Sequence, residues 1–353
     1  MRTLISLLLF FLACAHAGEL PGYQPRPGHE RPLVAVLGDG VSTEITDFLL
    51  PYGVLQRAAA AQVLAVATEG NTITMNTGLR VQADLDAAAF DQRFPEGADY
   101  VIVPAMRRAQ HAPTLAWLQA QAGKGATIVS ICDGALVLAH SGLLKGRRAT
   151  AHWATHDYRK ENFRDTEWLS NVRYVADGKV VSSAGISAAM PLSLALVEAI
   201  AGRDKAAAVA AGVGVQDWSS KHDSGSYAPQ FGRNLNVWLT HYTDRWFYTV
   251  QPVGLPLAAG FDEIALAYTS DAYTRTHRSQ VLAVADSAAP LASRHGLKVL
   301  PDRVAGSADA PAAMLPGLDH TLDQALARIA ATYGARTAQR VALEFEYPGY
   351  PPQ

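Results

Sequence analysis

From residue 33 onward, short apolar runs alternate with longer stretches of helical periodicity. Runs at 33–37, 62–67, 100–104, 127–131 and 179–183 are predicted strands, and 46–61, 113–122, 134–141 and 187–201 are predicted helices. The strand runs are too continuously apolar to leave one face in water. Alternation of this kind implies right-handed crossovers onto a parallel sheet covered by helices on both faces. The expected fold is therefore α/β, a mostly parallel sheet sandwiched by helices, with a smaller C-terminal α/β segment.

The pattern divides the chain as 1–17, 18–32, 33–216, 217–260 and 261–353. Residues 1–17 combine Arg2, a short apolar stretch and Ala15-His16-Ala17, and read as a cleaved signal peptide. Lipoprotein processing at Cys14 is the alternative. Residues 18–32 are rich in Pro and Gly without periodicity and read as a flexible lead-in. Residues 217–260 are irregular and aromatic and read as a connector. Beyond them, 263–268 reads as a strand, and the string QVLAVA at 280–285 repeats 62–67 letter for letter. Gly78, Leu79, Val81 and Asp84 find counterparts at the same offset in Gly296, Leu297, Val299 and Asp302. A shortened second copy of the first unit is expected, without a cysteine.

Charge narrows the partners. The net charge is −2 with 18% charged residues, so no broad basic face invites nucleic acid. No apolar run past the leader is long enough to cross a bilayer. Residues 261–353 show no pair of consecutive helical patterns with a basic recognition face. A small-molecule ligand or substrate and, at most, a second copy of the chain are the partners this leaves, with no cofactor called for and periplasmic or secreted localisation expected.

The chain holds two cysteines, and removal of the leader would leave Cys132 alone. Cys132 follows an apolar strand and precedes Asp133 and Gly134, which open a helix. That strand, turn and helix order is a nucleophile elbow, which places the side chain at the carboxyl rim of the sheet. A helix N-terminus favours thiolate by about 0.3–1 kcal/mol when exposed and up to about 2 when partly buried. A second group is needed for a deeper shift. His152 and His156 stand four apart, without a third metal ligand in view. His222-Asp223-Ser224 has triad letters but not triad geometry.

The string TIVSICDGALVLAHSGLLKGRRATAHW, with Thr43 to Pro51 upstream and Ser183 to Ala188 downstream, resembles the DJ-1/PfpI superfamily. Within it the resemblance is to the branch of isonitrile hydratases and the amidase-like domains of AraC-type regulators, over about 33–202. It implies a flavodoxin-like fold, Cys132 as nucleophile and Asp47 as its acidic partner, with Glu44 as the competing carboxylate. The implied pocket and oxyanion residues are Asp133, Gly134, Ala105, Met106, His152, Gly185 and Ile186. Two positions depart from the family pattern: Ala105-Met106 replace two glycines, and Asp133 stands where the peptidase-like branch has histidine. The second departure argues against a peptidase. Asp133 is expected to cap the helix, or, if ionised and close, to raise the thiol pKa. The implied activity is hydratase or lyase chemistry on an isonitrile or reactive carbonyl. A ligand-binding sensor without turnover and a thiol that oxidises are the alternatives.

Overall fold

The computed structural model describes residues 20–26 and 31–348. The expected signal peptide, 1–17, lies outside them. Seven strands form the main sheet in the order Tyr174–Asp177, Val180–Ser183, Thr127–Ser130, Tyr100–Val103, Leu33–Gly38, Gln62–Ala67 and Leu85–Asp86. Every pairing is parallel except that of the first two. Leu33–Gly38 is buried along its whole length, which explains its unbroken apolar sequence. Helices Ala112–Gly123 and Gly134–His140 cover one face, and Ile45–Ala58 and Ala189–Ala201 the other.

The described part of the expected flexible lead-in is docked. The Tyr23 N–H donates to the Ala199 carbonyl at 2.8 Å, and Arg26 donates to the carbonyls of Ala98, Glu96 and Lys124. An arginine that meets three backbone acceptors fixes a segment that has no periodicity of its own.

Two expectations for the second half need correction. Residues 263–268 are not a strand but the start of helix Glu263–Arg275, capped by Asp262, whose carboxylate accepts from the N–H groups of Ile264 and Ala265. The segment 217–260 is not only a connector, because strand Gln251–Pro256 lies inside it. That strand, the helix and Ser279–Ala285 form a parallel βαβ unit. Its sheet runs Arg303–Val304, Ser279–Ala285, Gln251–Pro256, Ala313–Met314. Its counterpart in the first unit runs Leu85–Asp86, Gln62–Ala67, Leu33–Gly38, Tyr100–Val103 in the same order.

The duplication extends to single hydrogen bonds. The Ala65 N–H donates to the Asp84 carboxylate at 2.8 Å and the Asp84 N–H returns to the Ala65 carbonyl; Ala283 and Asp302 repeat both bonds. Gly78 and Gly296 occupy the same left-handed turn, at φ 94° and 90°. Among the described residues the copy has no equivalent of the strand that carries Cys132.

An approximate two-fold axis relates the copies. Arg80–Gln82 pairs antiparallel with Lys298–Leu300, centred on the equivalent residues Val81 and Val299. Helix Ile45–Ala58 packs on its counterpart Glu263–Arg275 through reciprocal contacts. Thr46 donates to Asp271 at 2.8 Å, and the equivalent pair brings Ile264 against Gly53. Arg57 is ion-paired with Asp262, and Arg275 with Glu44 at 2.9 Å. Reciprocity of this kind is the mark of an isologous interface, here within one chain.

Helices Leu322–Tyr333 and Ala335–Glu344 are consecutive, joined at Gly334, contrary to the expected absence of such a pair. The second helix buries Thr337, Ala338, Arg340, Val341, Ala342 and Leu343, with Arg340 fully buried, so the pair is a packing element without a basic recognition face.

One apolar core runs from Val34 and Phe48 through Ile264 and Val281 to Ile329 without interruption between the copies. The protein should therefore unfold in urea in one transition, followed in parallel by tryptophan fluorescence and far-UV circular dichroism. Two separated transitions would contradict a shared core.

Candidate active site

Cys132 sits at the carboxyl end of Thr127–Ser130 with φ 55°, a left-handed conformation rare outside glycine. The turn is held by the Ile131 N–H donating to the Val103 carbonyl and the Gly134 N–H donating to the Ile131 carbonyl. A Cβ at Gly134 would overlap the Val103 carbonyl oxygen, so only glycine lets the helix start this close to the neighbouring strand. The elbow read from the sequence is thus present in backbone geometry.

The thiol's acidity differs from the expectation. Cys132 is only 6% exposed. Burial pushes its pKa well up, and Asp47, Asp133 and Glu44 push the same way, while the Asp133 N–H opposes them. Desolvation and three carboxyl groups outweigh the helix terminus.

Asp47 is fully buried on helix Ile45–Ala58 and lies close enough to act on the thiol electrostatically. One of its oxygens accepts from the Ala105 N–H at 3.1 Å, and the other, Oδ1, has no partner among the described residues. Burial raises its pKa well above the usual range against that hydrogen bond. A carboxyl that keeps its proton has a donor to offer the sulfur. The same bond spends the Ala105 N–H, so the expected oxyanion donor is not free. Met106 is buried and bridged to Thr43 in the wall of the site.

Asp133 stands at the start of its helix but makes no side-chain cap. Its carboxylate instead accepts from the Thr155 hydroxyl at 2.6 Å and lies 3.9 Å from Arg159. A residue one position past the thiol in this tight turn reaches outward more readily than back along its own helix.

Glu44 is the third carboxyl, and here the second copy enters the site. Arg275 contacts Glu44 at 2.9 Å, Asp271 at 3.0 Å and Glu344 at 3.5 Å. Asn76 donates to both Glu44, at 2.7 Å, and Asp271, at 3.3 Å. Burial pushes Glu44 well up, with Arg275 pulling against it. One guanidinium shared by three carboxyl groups cannot fully neutralise them all.

His152 is turned away from base chemistry. Its Nδ1 accepts from the Ala154 N–H at 3.2 Å, which leaves the proton on Nε2, 3.2 Å from the Glu344 carbonyl. Glu346 is buried at φ 53°, with its carboxyl filling the space that a Cβ on Gly185 would need. It pairs with His222 at 2.6 Å, and His222 stacks on Tyr227. His222 therefore has a carboxylate partner, but a distant one and not Asp223. Ile186 is buried at the following helix start. His152 and His156 belong to no group of three potential ligands among the described residues. Among the described residues His241, His277 and Glu344 have ligand-like spacing, but Arg340 and Arg275 already hold Glu344.

Arg159, Thr155, Asp271, Arg275 and Glu346 were not found from the sequence. The repeat offered a signal for one of them: aligning the two copies pairs Arg57 with Arg275 and Glu44 with Asp262, an exchange of opposite charges across a two-fold axis.

An α/β sheet with a strained cysteine elbow and a buried acid on the first helix defines a class of thiol-centred proteins, and the comparisons agree. The chain belongs to the DJ-1/PfpI family, which it matches over residues 33–199. It is 34% identical over 166 residues to isonitrile hydratase of Pseudomonas putida, covering 45% of this chain and 68% of that one. An HTH-type transcriptional regulator, CdhR, of Pseudomonas aeruginosa is 37% identical over 81 residues, 23% of this chain and 24% of the regulator. The crystal structure of Drosophila melanogaster DJ-1beta aligns with a TM-score of 0.48 at 22% identity, over 53% of this chain and all of that one.

Three outcomes are expected. Iodoacetamide should label Cys132 slowly near neutral pH, with half-maximal rate above the ordinary thiol value of about 8.5. Asp47→Asn should move that midpoint down, because Asp47 keeps its proton near neutral pH but, over the alkaline range in which the thiol ionises, is the largest charge opposing the thiolate; an unchanged midpoint would separate Asp47 from the thiol. Arg275→Leu should cost about 3 kcal/mol of urea stability at pH 7, since it leaves buried carboxylates unpaired. The deficit should shrink as pH falls through the carboxylate range, because protonated acids no longer need the cation.

Proposed function

We propose that the protein is a cysteine-dependent hydratase acting on a small electrophilic carbon, an isonitrile in the first place and a reactive carbonyl in the second. The observation that carries this reading is Asp47, buried, held toward its protonated form and with one oxygen unpartnered, beside a thiol on a strained turn. The likeness to an isonitrile hydratase over 166 residues supports it.

In the proposed sequence the Cys132 sulfur bonds to the terminal isonitrile carbon while that carbon takes a proton from the Asp47 carboxyl, giving a thioimidate. The thiol proton restores Asp47. Water then adds to the thioimidate carbon, the carbon–sulfur bond breaks, the sulfur recovers a proton and an N-substituted formamide leaves. Atoms balance as isonitrile plus water, with no redox change. A raised thiol pKa suits a neutral thiol–acid pair that moves one proton as the carbon–sulfur bond forms.

The low exposure of Cys132 supports a second reading, a ligand-binding module without turnover, in keeping with the likeness to a transcriptional regulator. Export belongs to the proposal on the strength of residues 1–17, and mass spectrometry of protein from its native host should find Gly18 at the N-terminus.

Formamide production from an alkyl isonitrile, followed by infrared loss of the N≡C stretch, separates the readings. Wild type should turn over, Cys132→Ala should be inactive, and Asp47→Asn should be slower by about 10²-fold or more in kcat. Saturable binding of the isonitrile with no formamide would select the module instead.

A further inference from the structure

A cavity of about 460 Å³ has a lining that includes Thr150, Arg159, Ser170, Asn171, Ser224 and Gly225, but not Cys132. Arg159 is part of that lining and is only 2% exposed. Its Nη1 donates to the His152 carbonyl at 2.6 Å and to the Thr155 hydroxyl. Its guanidinium lies over the Trp168 ring, 4.9 Å from the centroid. Its Nε is buried with no hydrogen-bond partner among the described residues. The nearest carboxylate oxygen, on Asp133, is 3.9 Å away and already accepts from Thr155 at 2.6 Å.

A guanidinium has five N–H donors and always carries its charge. Buried cations are normally matched by a carboxylate in bidentate contact, because removing the charge from water costs several kcal/mol. Arg159 lacks such a partner, yet it borders a cavity with room for a small organic molecule and with hydroxyl and amide groups on its walls. The other charged or titratable lining groups are His156 and the exposed Asp157. Asp157 is exposed to water, where screening is strong, and does not compensate a buried cation.

We propose that this cavity is a binding site for a small organic carboxylate, with Arg159 pairing its charge and Ser170, Asn171 and Ser224 available to its polar groups. It is separate from the cysteine site and does not depend on the reaction assigned there.

Calorimetric titration of the full chain near pH 7 and low salt tests this, with succinate and benzoate as probes and succinamide and benzamide as neutral counterparts. At least one acid should bind saturably, one per chain, at submillimolar Kd, and its amide about tenfold or more weakly. Arg159→Gln should lose that preference. Because a buried arginine can also support folding, Ala154→Glu provides a second variant: it sets a carboxylate on the cavity lining, leaves Arg159 in place, and should abolish acid binding. Absence of saturable binding by both acids, equal binding of acid and amide, or undiminished acid binding in Ala154→Glu would overturn the proposal.

Discussion

The antiparallel exchange between helix Ile45–Ala58 and helix Glu263–Arg275 is the contact on which the rest of the architecture depends. It joins two copies of one βαβ unit, merges their cores and fixes the helix that carries Asp47. Each helix presents an acidic group at its start and an arginine at its end, so a two-fold arrangement satisfies both charge pairs at once. The same arrangement brings Asp271 and Arg275 to within one residue's reach of the cysteine site. The second copy has no thiol, but it furnishes the counter-charge for the copy that does.

That counter-charge sets the character of the site. Glu44, Asp47 and Asp133 all act on a buried sulfur, and Arg275, paired with Glu44, and Arg159, near Asp133, do not neutralise them completely. The result is a reserve of protonated carboxyl close to a thiol that holds its own proton. Such a site is better suited to delivering protons in step with bond formation than to presenting a free thiolate. His152, whose two ring nitrogens are committed to the backbone, leaves no imidazole base to change that balance.

Much of the first unit was legible in the sequence because strands buried on both faces leave unbroken apolar runs, and because Gly134 after Cys132 marks a turn that tolerates no side chain. The repeat was legible where both copies bury the same strand, at QVLAVA. Helix Glu263–Arg275 was misread for a physical reason. Its first six residues have strand-like letters, while Thr269, Ser270 and Asp271 look solvent-facing but are buried. The hydroxyls of Thr269 and Ser270 return to the carbonyls of Ala265 and Leu266, and Asp271 is held by Thr46 and Arg275. Burial of polar groups that is satisfied locally or across an interface leaves no hydrophobic periodicity to read. The thiol's acidity was misjudged likewise, since a helix terminus is visible in sequence and desolvation by distant segments is not.

Covalent linkage of the two copies has a consequence for how the site persists. When a two-fold interface is shared between separate chains, diluting the protein dissolves it, and every substitution appears on both sides of the axis. Within one chain the partner helix is present at an effective concentration of about millimolar or higher regardless of dilution, and the two sides are free to drift apart. The position of Asp47 is occupied in the second copy by Ala265, a divergence that symmetric subunits could not sustain without losing the acid from both.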